Sequence, residues 1–291
     1  MTQLVIQHYA RPTARRHLWI GLAMAVVAVA FGVEQAIIWF AAHPLAARGL
    51  EASLLAGAAT GLGAIPLLLM RRPSDRLMAP LLGLAGGMML AASLFSLLVP
   101  AVQTVAASAA PWSLGLATAA ALLAGVAAMH GLDRRLPHEH VETVESGGLQ
   151  PNVALVVAAI AIHNVPEGLA VGVAAAAGAD HGMSLGIALQ NIPEGWIVAS
   201  AMLALGAAPL RAALIALGTG LVEPVGGLFG VIASTVAGAA LPMALAAAAG
   251  AMLWVVSHEM IPASHQAGRV GAGTAGLAGG FAVMTVLAAA F

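Results

Sequence analysis

The 291-residue sequence contains no cysteine and no lysine, and only 8% of its residues are charged. The missing thiols exclude disulfides and thiolate-held metals. A soluble domain is about 25% charged, so this chain has too little polar surface to face water. All eleven basic residues are arginine, and the net charge of −1 gives no basic face for a nucleic-acid partner. What is there is apolar. Hydrophobic residues make up 61% of the chain, and the mean hydropathy is +0.96. Lipid is the solvent this composition calls for. Abundant Gly and Ala fit helices that pack closely in a bilayer.

Apolar runs long enough to cross a bilayer as helices recur along the chain. They cover 18–42, 50–70, 77–105, 112–132, 152–178, 182–205, 209–237, 241–262 and 270–291. The expected fold is therefore an all-α integral membrane bundle of about nine transmembrane helices. Most connections are short and rich in turn residues. One, 133–151, is longer, polar and His-containing, with the composition of a partly disordered loop.

Arginine placement orients the bundle. With nine spans, the 1–17 tail, the 133–151 loop and three short loops fall on one side and hold ten of the eleven arginines; Arg48 alone falls on the other. The expected N-terminus is cytoplasmic and the C-terminus outside, in a bacterial inner (plasma) membrane. A signal peptide is the rival reading of 18–42, but the apolar run is too long for a usual h-region.

Polar residues interrupt the apolar runs at particular places. "HNVPEG" at 163–168 and "QNIPEG" at 190–195 form a near-repeat on consecutive spans, and Glu223 sits just before Pro224 in the next. A carboxylate at the bilayer centre costs roughly 2.5–3.5 kcal/mol on insertion scales. Three near one depth turn inward, toward each other or toward a cation. His163 and Glu167 are i and i+4, as are Gln190 and Glu194, so each pair shares a helix face. Pro166 and Pro193 free the carbonyls of Ile162 and Leu189, which lipid tolerates only beside protein or a water-filled cavity. These central helices are expected to be kinked. One imidazole, three carboxylates and several amides, with a thioether available from Met88 or Met89, suit Zn²⁺ and its divalent first-row neighbours. A lone intramembrane His or Glu would be a hydrogen-bonder or a proton relay. The duplicated motif argues against both.

At these motifs, together with "GGMMLAAS", "GLVEPVGG" and "SHEMIPASH", the sequence resembles the ZIP family of divalent metal transporters over 50–291. The resemblance implies an eight-helix core preceded by one additional N-terminal span. It implies one metal site of Met89, His163, Glu167, Gln190 and Glu194. A second, adjoining site would combine Asn164, Asn191 and Glu223 with the shared Glu167 and Glu194. Many family members carry His or a carboxylate at the positions of Gln190 and Asn191, and the Gln form looks like a mainly bacterial branch. The resemblance further implies inward transport by alternating access and often a homodimer. No resident cofactor is expected; Zn²⁺, or Cd²⁺, Fe²⁺ or Mn²⁺, is the cargo.

Two other readings fit the membrane glutamates less well. An intramembrane zinc hydrolase would need His at the position of Pro262 to complete His-Glu-x-x-His. A proton-coupled carrier of another solute would not need His163 beside Glu167. The arginine-derived orientation puts His138 and His140 in the cytoplasmic loop, and His258, Glu259 and His265 at the cytoplasmic end of 241–262 and just beyond it. These five are candidate exit or regulatory ligands.

The orientation is directly testable because the chain is free of cysteine. Thr2→Cys is expected to resist an impermeant thiol reagent added to intact cells, while Phe291→Cys reacts. Labelling at position 2 would show that 18–42 does not span as drawn.

Overall fold

In lipid every backbone N–H and C=O must be satisfied within the chain, and a helix does this locally. The computed structural model describes residues 24, 27, 30–35, 37–70, 75–135, 153–176, 178, 180–236, 240–266 and 268–290, and among these there is no strand. The tail 1–17, part of the 18–42 run and most of the 133–151 loop, with His138 and His140, lie outside the described residues. The chain is an all-α membrane bundle that divides into two units at Ala47 and Arg48.

In the first unit an apolar helix, α1 (Ala30–Ala42), exposes Phe31, Val33, Ile37 and Ile38. At its end the His43 ring stacks on Trp39 at 4.4 Å and donates through Nδ1 to the Trp39 carbonyl (2.7 Å).

The remaining helices are α2 (Pro44–Ala64), α3 (Asp75–Ala91), α4 (Val99–Ala106), α5 (Pro111–Arg135), α6 (Val153–Ala176), α7 (Asp180–Ala204), α8 (Pro209–Gly220), α9 (Glu223–Val236), α10 (Leu241–Val255), α11 (Ile261–Ser264) and α12 (Val270–Ala290). Among the described residues, six stretches are long and apolar enough to cross a membrane: Pro44–Leu68, Arg76–Ala106, Pro111–Arg135, Pro209–Ser234, Leu241–Ser264 and Val270–Ala290. Helices α6 and α7, of 24 and 25 residues, carry the polar hexapeptides between apolar arms.

The structure refines the expected spans in three ways. The helix expected from residue 50 begins at Pro44, whose fixed φ suits a first turn. The run 209–237 is interrupted within its span. It breaks at Leu221 and Val222, because Pro224 has no N–H for the Gly220 carbonyl and Gly218 and Gly220 weaken the preceding turn. By contrast α6 and α7 continue through Pro166 and Pro193. Finally, the third and eighth spans each contain a π-turn, at Ala92–Leu98 and Val256–Met260, just before Pro100 and Pro262. The wider turn lets Val99 N–H reach the Leu94 carbonyl and Ile261 N–H the Val256 carbonyl, five residues back.

Glycine decides which helices touch. A Cβ on Gly168 would run into the backbone of Glu223, and one on Gly172 into Gly227; from the facing helix, Gly226 abuts Val165 and Gly230 abuts Leu169. With glycines four residues apart on both, α6 and α9 meet backbone to backbone. Similar contacts join Gly57 to Gly220, Gly63 to Ile192, Gly195 to Thr60 and Gly227 to Ser53, locking α2, α7, α8 and α9 together. A second group of seams joins α3 to α12 through Gly83, Gly87, Gly276 and Gly280, and α5 to α10 through Gly125 and Gly250. Between the two groups the contact is made by side chains, including Met88, Met89, Ala92, Val171, Ile187, Met252 and Met284.

Gly172→Val forces a side chain into the Gly227 backbone and is expected to cost roughly 1–3 kcal/mol of stability. Gly279→Ala meets nothing within 4 Å and is expected to be neutral or slightly stabilising. Thermal unfolding of both purified variants checks the contrast, and equal melting temperatures would refute the seam.

Candidate metal centre

Two amides next to each other on α7 organise the polar centre. Gln190 Nε2 donates to Glu167 Oε1 on α6 (2.7 Å). Asn191 Nδ2 donates to the Ala56 carbonyl on α2 (2.8 Å) and to Glu223 Oε1 at the start of α9. One amide thus ties α7 to α6, and the other ties it to α2 and α9. Asn164 on α6 donates through Nδ2 to the Thr219 carbonyl on α8 (2.8 Å), beside the helix break. Asn164, Glu167, Gln190, Asn191 and Glu223 are all buried.

The donors do not go round. Glu167 Oε2, Gln190 Oε1, Asn191 Oδ1, Glu194 Oε1 and Glu223 Oε2 are buried without a hydrogen-bond partner. All five are acceptors. Glu194 lies one turn along α7 from Gln190, on the same face. A site with surplus lone pairs and too few protons to share is complementary to a cation. Among the described residues no three His, Asp or Glu side chains close around an ion by themselves; amide oxygens must complete any coordination here.

The other expected ligands sit as follows. Met89 is buried on α3 beside Met88, and its carbonyl accepts from Ser93 Oγ (2.8 Å). His163, which shares a face of α6 with Glu167, places Nε2 3.1 Å from Glu259 Oε1. His258, Glu259 and His265, the candidate exit ligands, contact different helices. Glu259 reaches α6; His258 stacks on Trp254 (4.7 Å) and lies 3.7 Å from Asp133 Oδ2 on α5; His265 Nε2 is 3.1 Å from Thr274 Oγ1 on α12. His258 and Glu259 lie within the π-turn at Val256–Met260, and His265 caps the short helix that follows. Asp133 went unnoticed in the sequence. It opens the 133–151 run and directly precedes Arg134 and Arg135, which signalled only a helix end.

Helices of membrane-crossing length around an acceptor-rich polar centre define the class, a polytopic α-helical membrane transporter. The comparisons with known proteins carry this to a family. A family model described as ZIP Zinc transporter matches residues 134–288, more than half of the chain. The zinc transporter GufA of Myxococcus xanthus is 48% identical over 246 residues, covering 82% of this chain and 97% of that protein. The zinc transporter ZIPB of Bordetella bronchiseptica is 44% identical over 237 residues, covering 79% and 77%. A zinc transporter ZupT of Escherichia coli is 33% identical over 221 residues, covering 72% and 84%. The chain belongs to the ZIP zinc transporter family, and like these relatives it is a transporter rather than an enzyme.

Asn191→Asp tests the role of the amide. Aspartate has no donor for the Ala56 carbonyl or Glu223, and it adds a negative charge between them. Without metal, the variant is expected to lose roughly 1–3 kcal/mol of stability. With zinc, the added charge is expected to give a larger rise in melting temperature than in the unmodified protein. A zinc-induced rise no larger than that of the unmodified protein would show that this position does not face the cation.

Proposed function

We propose that this protein carries divalent transition-metal ions, Zn²⁺ first among them, through the membrane toward the cytoplasm, with Cd²⁺, Fe²⁺ and Mn²⁺ as further cargo. The observation that carries the reading is the set of five buried, unpartnered acceptor oxygens on Glu167, Gln190, Asn191, Glu194 and Glu223. In this reading Glu167 and Glu194 hold the ion, Gln190 and Asn191 contribute amide oxygens, and Glu223 completes an adjoining position with Asn191 and Asn164. His163 swings from Glu259 to supply nitrogen, and Met89 a thioether. The names of the relatives support zinc as the cargo.

Direction and route belong to the same proposal. The arginine bias puts the C-terminal end of α10 in the cytoplasm. His163 lies one turn from Glu167 on the cytoplasmic side, followed by Glu259, then His258 and Asp133. An ion leaving the carboxylates would meet these weaker ligands in turn, and His138, His140 and His265 are further candidates along the sequence. Alternating access is supported by the glycine seams: α2 and α6–α9 are interlocked as one body carrying the site, whereas α3, α5, α10 and α12 meet it through side chains. A bacterial inner membrane, a homodimeric assembly and an additional N-terminal span before an eight-helix core complete the proposal.

Uptake of isotopic zinc into proteoliposomes tests it. Glu167→Ala and Glu194→Ala are each expected to lower uptake by at least about tenfold, since even an outer partner of a metal ligand contributes that much. His163→Ala is expected to harm Zn²⁺ more than Mn²⁺, because imidazole is the softer donor. Glu259→Gln is expected to leave bound metal in place but slow its release. Unchanged uptake by both alanine variants would end the assignment.

A further inference from the structure

Helical hydroxyls in this protein commonly turn back onto their own helix. Ser53 donates to the Gly49 carbonyl (2.7 Å), Ser93 to Met89 (2.8 Å), Thr118 to Leu114 (2.8 Å) and Thr285 to Phe281 (2.7 Å), each four residues back. Thr60 on α2 does not. Its Oγ1 is buried without a hydrogen-bond partner, and the residue is only 1% exposed. The carbonyl four residues back is that of Ala56, which receives Asn191 Nδ2. A hydroxyl left unsatisfied inside an apolar bundle is destabilising, so its neighbours matter.

The glycine contacts locate it. A Cβ on Gly195 would meet the Thr60 carbonyl, and one on Gly63 would meet the backbone of Ile192 and Trp196. Thr60 therefore lies alongside the turn of α7 that carries Asn191 and Glu194. A Cβ on Gly220 would meet Thr60 Oγ1 itself, so the hydroxyl points at the helix break just before Glu223. Thr60 stands where α2, α7 and the α8–α9 break meet, the same elements that Asn191 joins. The unpartnered oxygens of Asn191, Glu194 and Glu223 are carried by those elements.

We propose that the Thr60 hydroxyl oxygen is a further cation contact, a neutral ligand supplied by α2 to an ion at the Asn191–Glu223 half of the centre. The proposal rests on the transport reading above. It makes that half all-oxygen, from carboxylate, amide and hydroxyl, a donor set matched to harder divalent ions such as Mn²⁺. His163 gives the other half its nitrogen. Thr60 would thus shape metal preference without adding charge.

Thr60→Val removes the hydroxyl at nearly constant volume, and Thr60→Ser keeps it. Equilibrium dialysis of the purified full-length variants against Mn²⁺ and Zn²⁺, with thermal melts alongside, reads the effect. The valine variant is expected to bind Mn²⁺ about three- to tenfold more weakly, with a smaller change for Zn²⁺, and the serine variant to stay within about twofold of the unmodified protein. If the valine variant does not fold, Thr60→Ala replaces it with the same expectation. Unchanged Mn²⁺ affinity without the hydroxyl would overturn the proposal. So would a serine variant as weak as valine, which would assign Thr60 to packing. Glu194→Ala, measured in parallel, separates the two readings. Full binding by that variant would remove the transport site itself, whereas lost binding there beside an unchanged valine variant removes only Thr60.

Discussion

Buried carboxylates in a medium without water must find donors on neighbouring helices, and here two adjacent amides supply them. Gln190 serves Glu167, and Asn191 serves Glu223 and the Ala56 carbonyl. Because the pair sits on one turn of α7, its donors pull α2, α6 and α9 to the same level. The supply is smaller than the demand, and the remaining oxygens are all acceptors. That imbalance distinguishes a centre suited to cations from a merely satisfied polar core.

Glycine makes this geometry reachable. An amide side chain is short, so α7 and α2 must approach until Gly195 and Gly63 lie against the facing backbone. The same requirement brings α6 against α9 through Gly168, whose neighbour is Glu223 itself. Close backbone contact is the means by which membrane helices associate when apolar burial offers no advantage over lipid. It also interlocks the polar centre's helices into one body. Methionine and alanine side chains face the other helices instead, and such surfaces repack more readily than interdigitated backbones.

The π-turn at Val256–Met260 solves a different problem. Pro262 cannot donate to the carbonyl four residues back, and the wider turn relieves the clash. Within it His258 meets Trp254 and Asp133, while Glu259 meets His163.

Much was legible in the sequence because lipid imposes a simple rule. Long apolar runs must be helices, and charged or amide residues within them must face inward, so the all-α bundle and the polar face shared by Glu167, Gln190, Asn191, Glu194 and Glu223 followed from composition and spacing. Pairing was not legible. His163 and Glu167 share a helix face, yet His163 turns to Glu259, 96 positions away, because helical spacing describes one helix and not its neighbour. The break before Glu223 and both π-turns were hidden for a related reason. Proline announces that a backbone bond is lost, but whether the helix runs on, widens or breaks depends on what stands beside the freed carbonyl. At Gly220 that neighbour is Gly57 of α2, a contact between residues far apart in the chain, which only the assembled bundle decides.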